Sequence, residues 1–294
     1  MNAPHIITHN SRFHSDDVFG VAALLILFPE ARVTRTRDPN IIKTGDIVLD
    51  VGGLYDEEKN CFDHHQIGGA GKRSNGVPYA SFGLIWKKFG REIAGSERAA
   101  ALLERNIVQP IDAMDNGVDL YTSTIEDVHP YLIQNITFAF DITWKEDDAK
   151  TDTLFLEMVG IAKTILTREI IHASHFSESY DMVLAAYERS EDKRIIEIEK
   201  NYPWETILNQ FKEPLYVVRP NVQDPHWKVG AVRDDVYSYK VRKPFPLSWA
   251  GKRDQALVEA SGVPDAHFCH NGRFLVIARS REGALRLAQI AVET

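Results

Sequence analysis

Asp63, His64 and His65 stand together in CFDHHQIGG. Packing has little use for an aspartate followed by two adjacent histidines; a metal or a phosphate has. Imidazole nitrogen and carboxylate oxygen suit manganese, magnesium, iron or zinc. Residues of the same kinds recur as His9, His14 and Asp16 in THNSRFHSDD, as Asp50 in LDVGG, and as Asp112 and Asp115 in PIDAMDNGV. Several have an ordinary reading. His9 could be a strand-end histidine bonded to backbone, Asp16 a helix cap, and Asp50 a turn residue beside Gly52 and Gly53. The two histidines are harder to dismiss. In extended chain they face opposite ways, so one can bind a metal while the other reaches a substrate. The donor count favours two ions, held by His9, His14, Asp16, Asp50, His64 and one of Asp112 or Asp115, with Asp50 able to bridge. Two ions about 4 Å apart can generate a hydroxide and hold both the attacking and leaving oxygens of a phosphoryl centre.

Such groups must be carried to one place by the elements around them. HIITH at 5–9 reads as a first strand. DDVFGVAALLILF follows as a helix, with Asp16 or Asp17 near its start and Pro29 beyond its end. Residues 31–36 and 46–51 read as second and third strands, and CFDHHQ as the end of another. This is the opening of an α/β domain with a mainly parallel sheet flanked by helices. In such sheets ligands gather outside the carboxyl ends of the strands, where His9, Asp50 and the triplet all fall. The loop QIGGAGKRSNGVPYA contributes Lys72 and Arg73. A helix with Phe82, Ile85, Trp86 and Phe89 on one face comes next, then another over about 96–114, ended by Asn116-Gly117.

Further on, 153–174 predicts a long helix and 178–199 a second, heavily charged one. From about Phe211 the pattern changes to alternating strands, LYVVRP and WKVGAVR, with 237–241 as another. AHFCHNGRFLVIAR predicts a hairpin turning at Asn271-Gly272, and Ser280 caps a closing amphipathic helix. The expected organisation is a catalytic domain at 1–145, a helical linker region at 146–210, and a smaller α+β domain at 211–294.

Composition narrows the function classes. With 294 residues, 44% hydrophobic and 26% charged, the chain suits a soluble globular protein. Its 34 basic against 42 acidic side chains argue against a broad electrostatic grip on nucleic acid, though not against a local basic cleft. Cys61 and Cys269 are the 2 cysteines, too few and too far apart for a zinc site or a disulfide scaffold. Cys61 reads as a strand residue facing the core. A reducing, cytoplasmic compartment is expected. No stretch reads as a secretory signal or a membrane span.

The motifs THNSRFHSDDVFGVAAL, DIVLDVGGLYDEEKNCFDHHQ, GKRSNGVPYASFGLIWKKFG, PIDAMDNGV, PFPLSWAGKRDQAL and SREGAL resemble the DHH phosphoesterase superfamily. More closely, they resemble the melanocyte proliferating gene 1 protein family. The resemblance implies an N-terminal DHH domain, a C-terminal substrate-binding domain and two manganese ions, magnesium or another divalent metal being the alternative. The superfamily's first motif is a strand-end histidine with aspartates at +4 and +6. Here His9 is followed by His14 and Asp16, so one residue is added and the first aspartate is replaced by histidine. Asp50 matches the second motif, and Asp63, His64 and His65 the third. By resemblance His64 is a ligand, His65 contacts the phosphate or leaving group, and Asp63 orients a histidine. The fourth motif falls on Asp115 or Asp112, Asp115 being the better match. The superfamily's C-terminal glycine-rich motif is absent. HFCHNGRFLVIARSREGAL takes its place, offering His270, Asn271, Arg273 and Arg279 as substrate contacts beside Lys72 and Arg73.

The function implied is a metal-dependent phosphodiesterase, a 3′-to-5′ exonuclease on single-stranded RNA or short oligonucleotides. One alternative is a hydrolase of a small phosphorylated molecule. Another is a non-catalytic RNA-binding or regulatory protein that keeps the fold. The expected partner is the RNA or oligonucleotide itself and no membrane; a homodimer is left open.

Overall fold

The computed structural model describes residues 3–235 and 237–294. The chain is mixed α/β and divides into two compact units, 1–175 and 176–294, each with its own five-stranded sheet. Among the described residues no helix is long and apolar enough to cross a membrane.

Unit 1 opens with β1 (His5–Thr8), α1 (Ser15–Leu27), β2 (Arg32–Arg35), the short α2 (Pro39–Ile42) and β3 (Ile47–Leu49). The hairpin of β4 (Tyr55–Asp56) and β5 (Cys61–Phe62) follows. The sheet order is β2-β1-β3-β5-β4, parallel except for β4. From β1 the chain adds β2 on one side and β3 on the other, so a crevice opens between β1 and β3 at their carboxyl ends. α1 is apolar nearly all round, and Val18, Phe19, Val21, Ala22, Ala23 and Leu24 are fully buried. Such a helix must lie inside the domain. Phe19 meets Phe82 of α3 (Ser81–Ala94), with ring centroids 5.9 Å apart. Burying a phenylalanine side chain of this kind contributes roughly 1.5–3 kcal/mol.

The helix expected over 96–114 is broken into α4 (Glu97–Leu103), a π-helical turn over Glu104–Val108, and α5 (Gln109–Asp115). Pro110 has no N–H to donate, and the Gln109 N–H reaches back five residues to the Glu104 carbonyl. α6 (Ile133–Ala139) and the 39-residue α7 (Thr151–Arg189) complete the helices of this part of the chain.

Unit 2 begins within α7. It contains β6 (Ile195–Glu197), α8 (Glu205–Leu208), β7 (Tyr216–Pro220), β8 (Trp227–Ala231), α9 (Asp254–Ser261), β9 (Ala266–Cys269), β10 (Leu275–Ala278) and α10 (Arg281–Glu293). The sheet order is β6-β7-β8-β10-β9, antiparallel but for β6 with β7. One face carries Tyr216, Val218 and Val229 against Leu287 and Ala291 of α10; the other carries Val217 against Trp204 and Ile207.

The structure departs from the sequence expectations at identifiable points. No helix spans 178–199, because α7 runs on unbroken to Arg189 and residues 195–197 pair as β6. The region expected as a helical linker, 146–210, thus divides between the two units. No strand forms at 237–241, where only Val241 pairs, as an isolated bridge to Arg233. In the β9–β10 hairpin the left-handed residue is Arg273, at φ +55, not Gly272. The N-cap of α1 is His14 rather than Asp16 or Asp17.

Candidate metal centre

The groups of interest in unit 1 sit on four supports. β1 ends at Thr8 and delivers His9; β3 ends at Leu49 and delivers Asp50; β5 ends at Phe62 and delivers Asp63, His64 and His65. The first turn of α1 holds Asp16 and Asp17 where the helix dipole favours negative charge. The last turn of α5 supplies Asp115. Asp50 has φ +53, a left-handed conformation that aspartate tolerates better than most residues.

Three groupings emerge whose donor atoms lie within 4.8 Å of one another: His9, His14 and Asp50; His14, Asp16 and Asp115; Asp50, His64 and His65. Asp50 and His14 each belong to two of them. His9 Nε2 lies 3.1 Å from Asp50 Oδ2 and 3.3 Å from Asp17 Oδ2. His64 Nε2 lies 3.4 Å from Asp50 Oδ1, 3.3 Å from Asp115 Oδ2 and 3.9 Å from Asp16 Oδ2. His65 Nδ1 is 2.8 Å from Asp63 Oδ1 and 3.4 Å from Asp50 Oδ1. Asp63 Oδ1 also accepts from the His65 backbone N–H, and Oδ2 accepts from the Gly53 N–H at 2.6 Å. Gly53 makes that approach at φ +68, which favours glycine.

The electrostatics are those of an unneutralised cluster. Asp16, Asp17 and Asp50 are at most 2% exposed, and among the described residues only histidines come within ion-pair distance of them or of Asp115. Burial, then the charges of Asp50 and Asp115, pushes the Asp16 carboxyl well above the usual range. Burial pushes Asp17 up to about 7 against the pull of His9, and also raises Asp115. Asp50 goes the other way. Burial opposes its charge, but the His64 and His9 imidazoles beside it hold it well below the usual range. Burial alone would lower His9 and His64, yet the neighbouring Asp50 and the surrounding carboxylates raise both. His65 is raised chiefly by its bond to Asp63.

Three buried donor atoms in the cluster, Asp16 Oδ1, Asp17 Oδ2 and His64 Nε2, have no hydrogen-bond partner. Orphaned buried atoms of this kind are costly unless something binds them. Oxygen and imidazole donors, excess negative charge and unfilled valences together fit divalent cations, and the residues can hold a metal ion.

Two residues at the cluster carried no legible chemical signal in the sequence. Asp17 stands in the sequence only as an acidic residue near the start of a helix. It does accept from the His14 backbone N–H at 2.8 Å through Oδ1, while Oδ2 faces His9. Ser81, the first residue of α3, donates through Oγ to Asp50 Oδ1 at 3.1 Å and through N–H to Asp16 Oδ2 at 3.3 Å. By orienting Asp50 it acts as a positioning residue. Ser81→Ala is expected to weaken metal affinity roughly 10- to 100-fold with the fold kept, measured by metal titration.

Two expected site residues are occupied elsewhere. Asp112 lies outside all three groupings. Its Oδ2 accepts from Arg73 Nη2 at 2.8 Å and its Oδ1 from the Gly83 N–H at 3.0 Å. Burial drives Asp112 up to about 7 against the pull of Arg73. Arg73 is not free to meet a substrate: its side chain is buried, bonded to Glu104, Asp112 and the Pro78 carbonyl, and stacked 4.0 Å over Tyr79. Lys72, in the same loop, is exposed. The remaining candidates, His270, Asn271, Arg273 and Arg279, lie in unit 2. His270 Nδ1 accepts from the Gly272 N–H, Arg273 donates to the Phe245 carbonyl, and Arg279 pairs with Asp254 at 2.6 Å. Asn271 is exposed.

A family model described as uncharacterised protein family UPF0160, the MYG1 exonuclease family, matches residues 5–292. A cattle (Bos taurus) MYG1 exonuclease is 30% identical over 98% of this chain and 84% of its own length. A MYG1 protein of Schizosaccharomyces pombe is 29% identical, covering 99% of this chain and 98% of its own. The human MYG1 exonuclease is 29% identical over 98% and 86%.

Proposed function

Because the chain belongs to the MYG1 exonuclease family, we propose that it is a metal-dependent phosphodiesterase of the DHH type. Its substrate in this reading is single-stranded RNA or a short oligonucleotide, degraded from the 3′ end. The observation that carries the proposal is the buried cluster in which Asp50 is shared by the groupings around His9 and His64. The exonuclease activity follows the names of the cattle and human relatives. RNA and direction follow the resemblance to the closer family, not the superfamily at large.

His9, His14, Asp16, Asp50, His64 and Asp115 would hold two divalent ions, manganese in this proposal. When bound, the ions supply Lewis acidity to a phosphoryl centre and to its attacking water. The remaining steps belong to side chains. Ser81 fixes the Asp50 carboxylate, and Asp17 completes the wall behind His9. Asp63 anchors His65 at Nδ1, which fixes the imidazole plane and leaves Nε2 for the substrate. His65 is 62% exposed, against 2% and 8% for His9 and His64, and its raised pKa favours a proton on Nε2. That N–H would donate to a non-bridging or leaving oxygen, stabilising charge that grows in the transition state. A cytoplasmic setting belongs to the same reading, since Cys61 and Cys269 are both free thiols.

A substrate panel in manganese tests the proposal: 5′-labelled single-stranded RNA and DNA, dinucleotides and pyrophosphate, with product ends identified. The expected result is stepwise shortening of RNA from its 3′ end. Hydrolysis of pyrophosphate with RNA left intact would replace the proposal with the small-phosphoester reading. No hydrolysis of any substrate would favour a non-catalytic protein.

A further inference from the structure

We propose that unit 2 carries a nucleotide-binding pocket on the sheet face opposite α10, taking a nucleobase ring that bears a phosphate. The pocket encloses about 340 Å³ and is lined by Trp204, Arg219, Gly230, Arg233, Tyr239 and Phe274. It goes beyond the metal-centre reading and does not rest on it.

The two guanidiniums supply the anion preference. Arg219 projects from β7 on the same face as Val217. Its Nη1 donates to Asn201 Oδ1, but its Nε is fully buried with no hydrogen-bond partner. Among the described residues no carboxylate lies within ion-pair distance of Arg219 or Arg233. A partly buried guanidinium with an unmet N–H is costly to keep unless a ligand supplies the acceptor. A phosphate does this well, since a guanidinium can offer it two parallel N–H bonds.

The rings supply the rest of the specificity. Trp204 is buried as a wall, Phe274 is partly exposed, and Tyr239 stands 91% exposed at the rim. Arg233 lies 5.3 Å from the Tyr239 ring centroid, so cation and ring are already paired at the mouth. Base–aromatic stacking is the usual use of such rings beside arginines. Glu205, the one acidic residue of the lining, offers an acceptor for an exocyclic amino group. Gly230 keeps the floor open: a Cβ there would meet only the Trp204 ring, at 3.4 Å and beyond. A purely apolar ligand has no use for the guanidiniums, and a bare anion has none for three rings.

Calorimetry of the full chain in EDTA, which empties the metal centre, tests this with 5′-AMP, adenosine, inorganic phosphate and a phosphorothioate oligoadenylate. The expected result is that 5′-AMP binds, with adenosine and phosphate each at least about tenfold weaker. An oligoadenylate that binds as tightly as 5′-AMP assigns the pocket to a nucleotide within a strand; a weaker one assigns it to the free nucleotide. Tyr239→Ala removes an exposed ring and leaves packing intact, and Gly230→Val fills the floor from an extended strand. Each is expected to weaken 5′-AMP roughly tenfold. No binding of 5′-AMP at about 1 mM overturns the proposal, as does unchanged affinity in both variants. Because EDTA silences cleavage, this result and that of the substrate panel stand or fall separately.

Discussion

Asp50→Asn is expected to lower phosphodiester cleavage by about a thousandfold or more, roughly 4 kcal/mol in transition-state stabilisation. Asparagine keeps the shape of the side chain and tolerates the left-handed backbone at φ +53, so the far-UV circular dichroism spectrum should be unchanged. What it removes is a charge that faces His9 at 3.1 Å and His64 at 3.4 Å at once. No other carboxylate of the cluster belongs to two of the three groupings, and its Ser81 bond fixes the direction in which it points. Cleavage near the wild-type rate in a folded Asp50→Asn protein would take Asp50 out of the site.

The second large effect separates two aspartates three residues apart. Asp112→Ala is expected to leave metal affinity as it is and to destabilise unit 1 by about 3–5 kcal/mol, because Arg73 stays buried without its Asp112 partner. The thermal midpoint should fall by roughly 10 °C. Asp115→Asn is expected to do the opposite. It removes a carboxylate 3.3 Å from His64 and grouped with His14 and Asp16, so metal affinity is lost while no buried arginine is left without a partner. Differential scanning calorimetry and metal titration on both variants measure this exchange of effects. A stable Asp112→Ala protein that no longer binds metal would reverse the two roles.

The parts of the site legible in the sequence are those whose position follows from strand alternation. His9, Asp50 and the DHH triplet each stand just after a strand, and a sheet that switches direction between β1 and β3 brings strand ends together. Between Asp112 and Asp115 the sequence gives Asp115 only a slight preference, because both lie on α5 and share much of one helix face. The deciding contact is to Arg73, 39 residues away. Ser81 was invisible for a similar reason: a serine at the start of a helix carries no sign of the aspartates it will meet from two other elements.

The fold class was legible from the alternation of apolar patterns, and its interruptions were not. The run AAYERSEDKRIIEIEK looks continuously helical, yet α7 stops at Arg189 and Ile195-Ile196-Glu197 joins the second sheet. Three residues are too few for an alternating pattern to stand out from a charged surface. The division between units falls inside α7, at 175–176, where no glycine, proline or change of composition marks it.

Equilibrium dialysis of chelator-stripped protein against manganese, with cleavage of labelled RNA assayed on the same samples, tests the metal centre most directly. The predicted result is two ions per wild-type chain, loss of ion binding in Asp50→Asn, and cleavage that rises only as the ions bind. Full cleavage by wild-type protein in excess EDTA, or manganese binding that Asp50→Asn leaves unchanged, would contradict it.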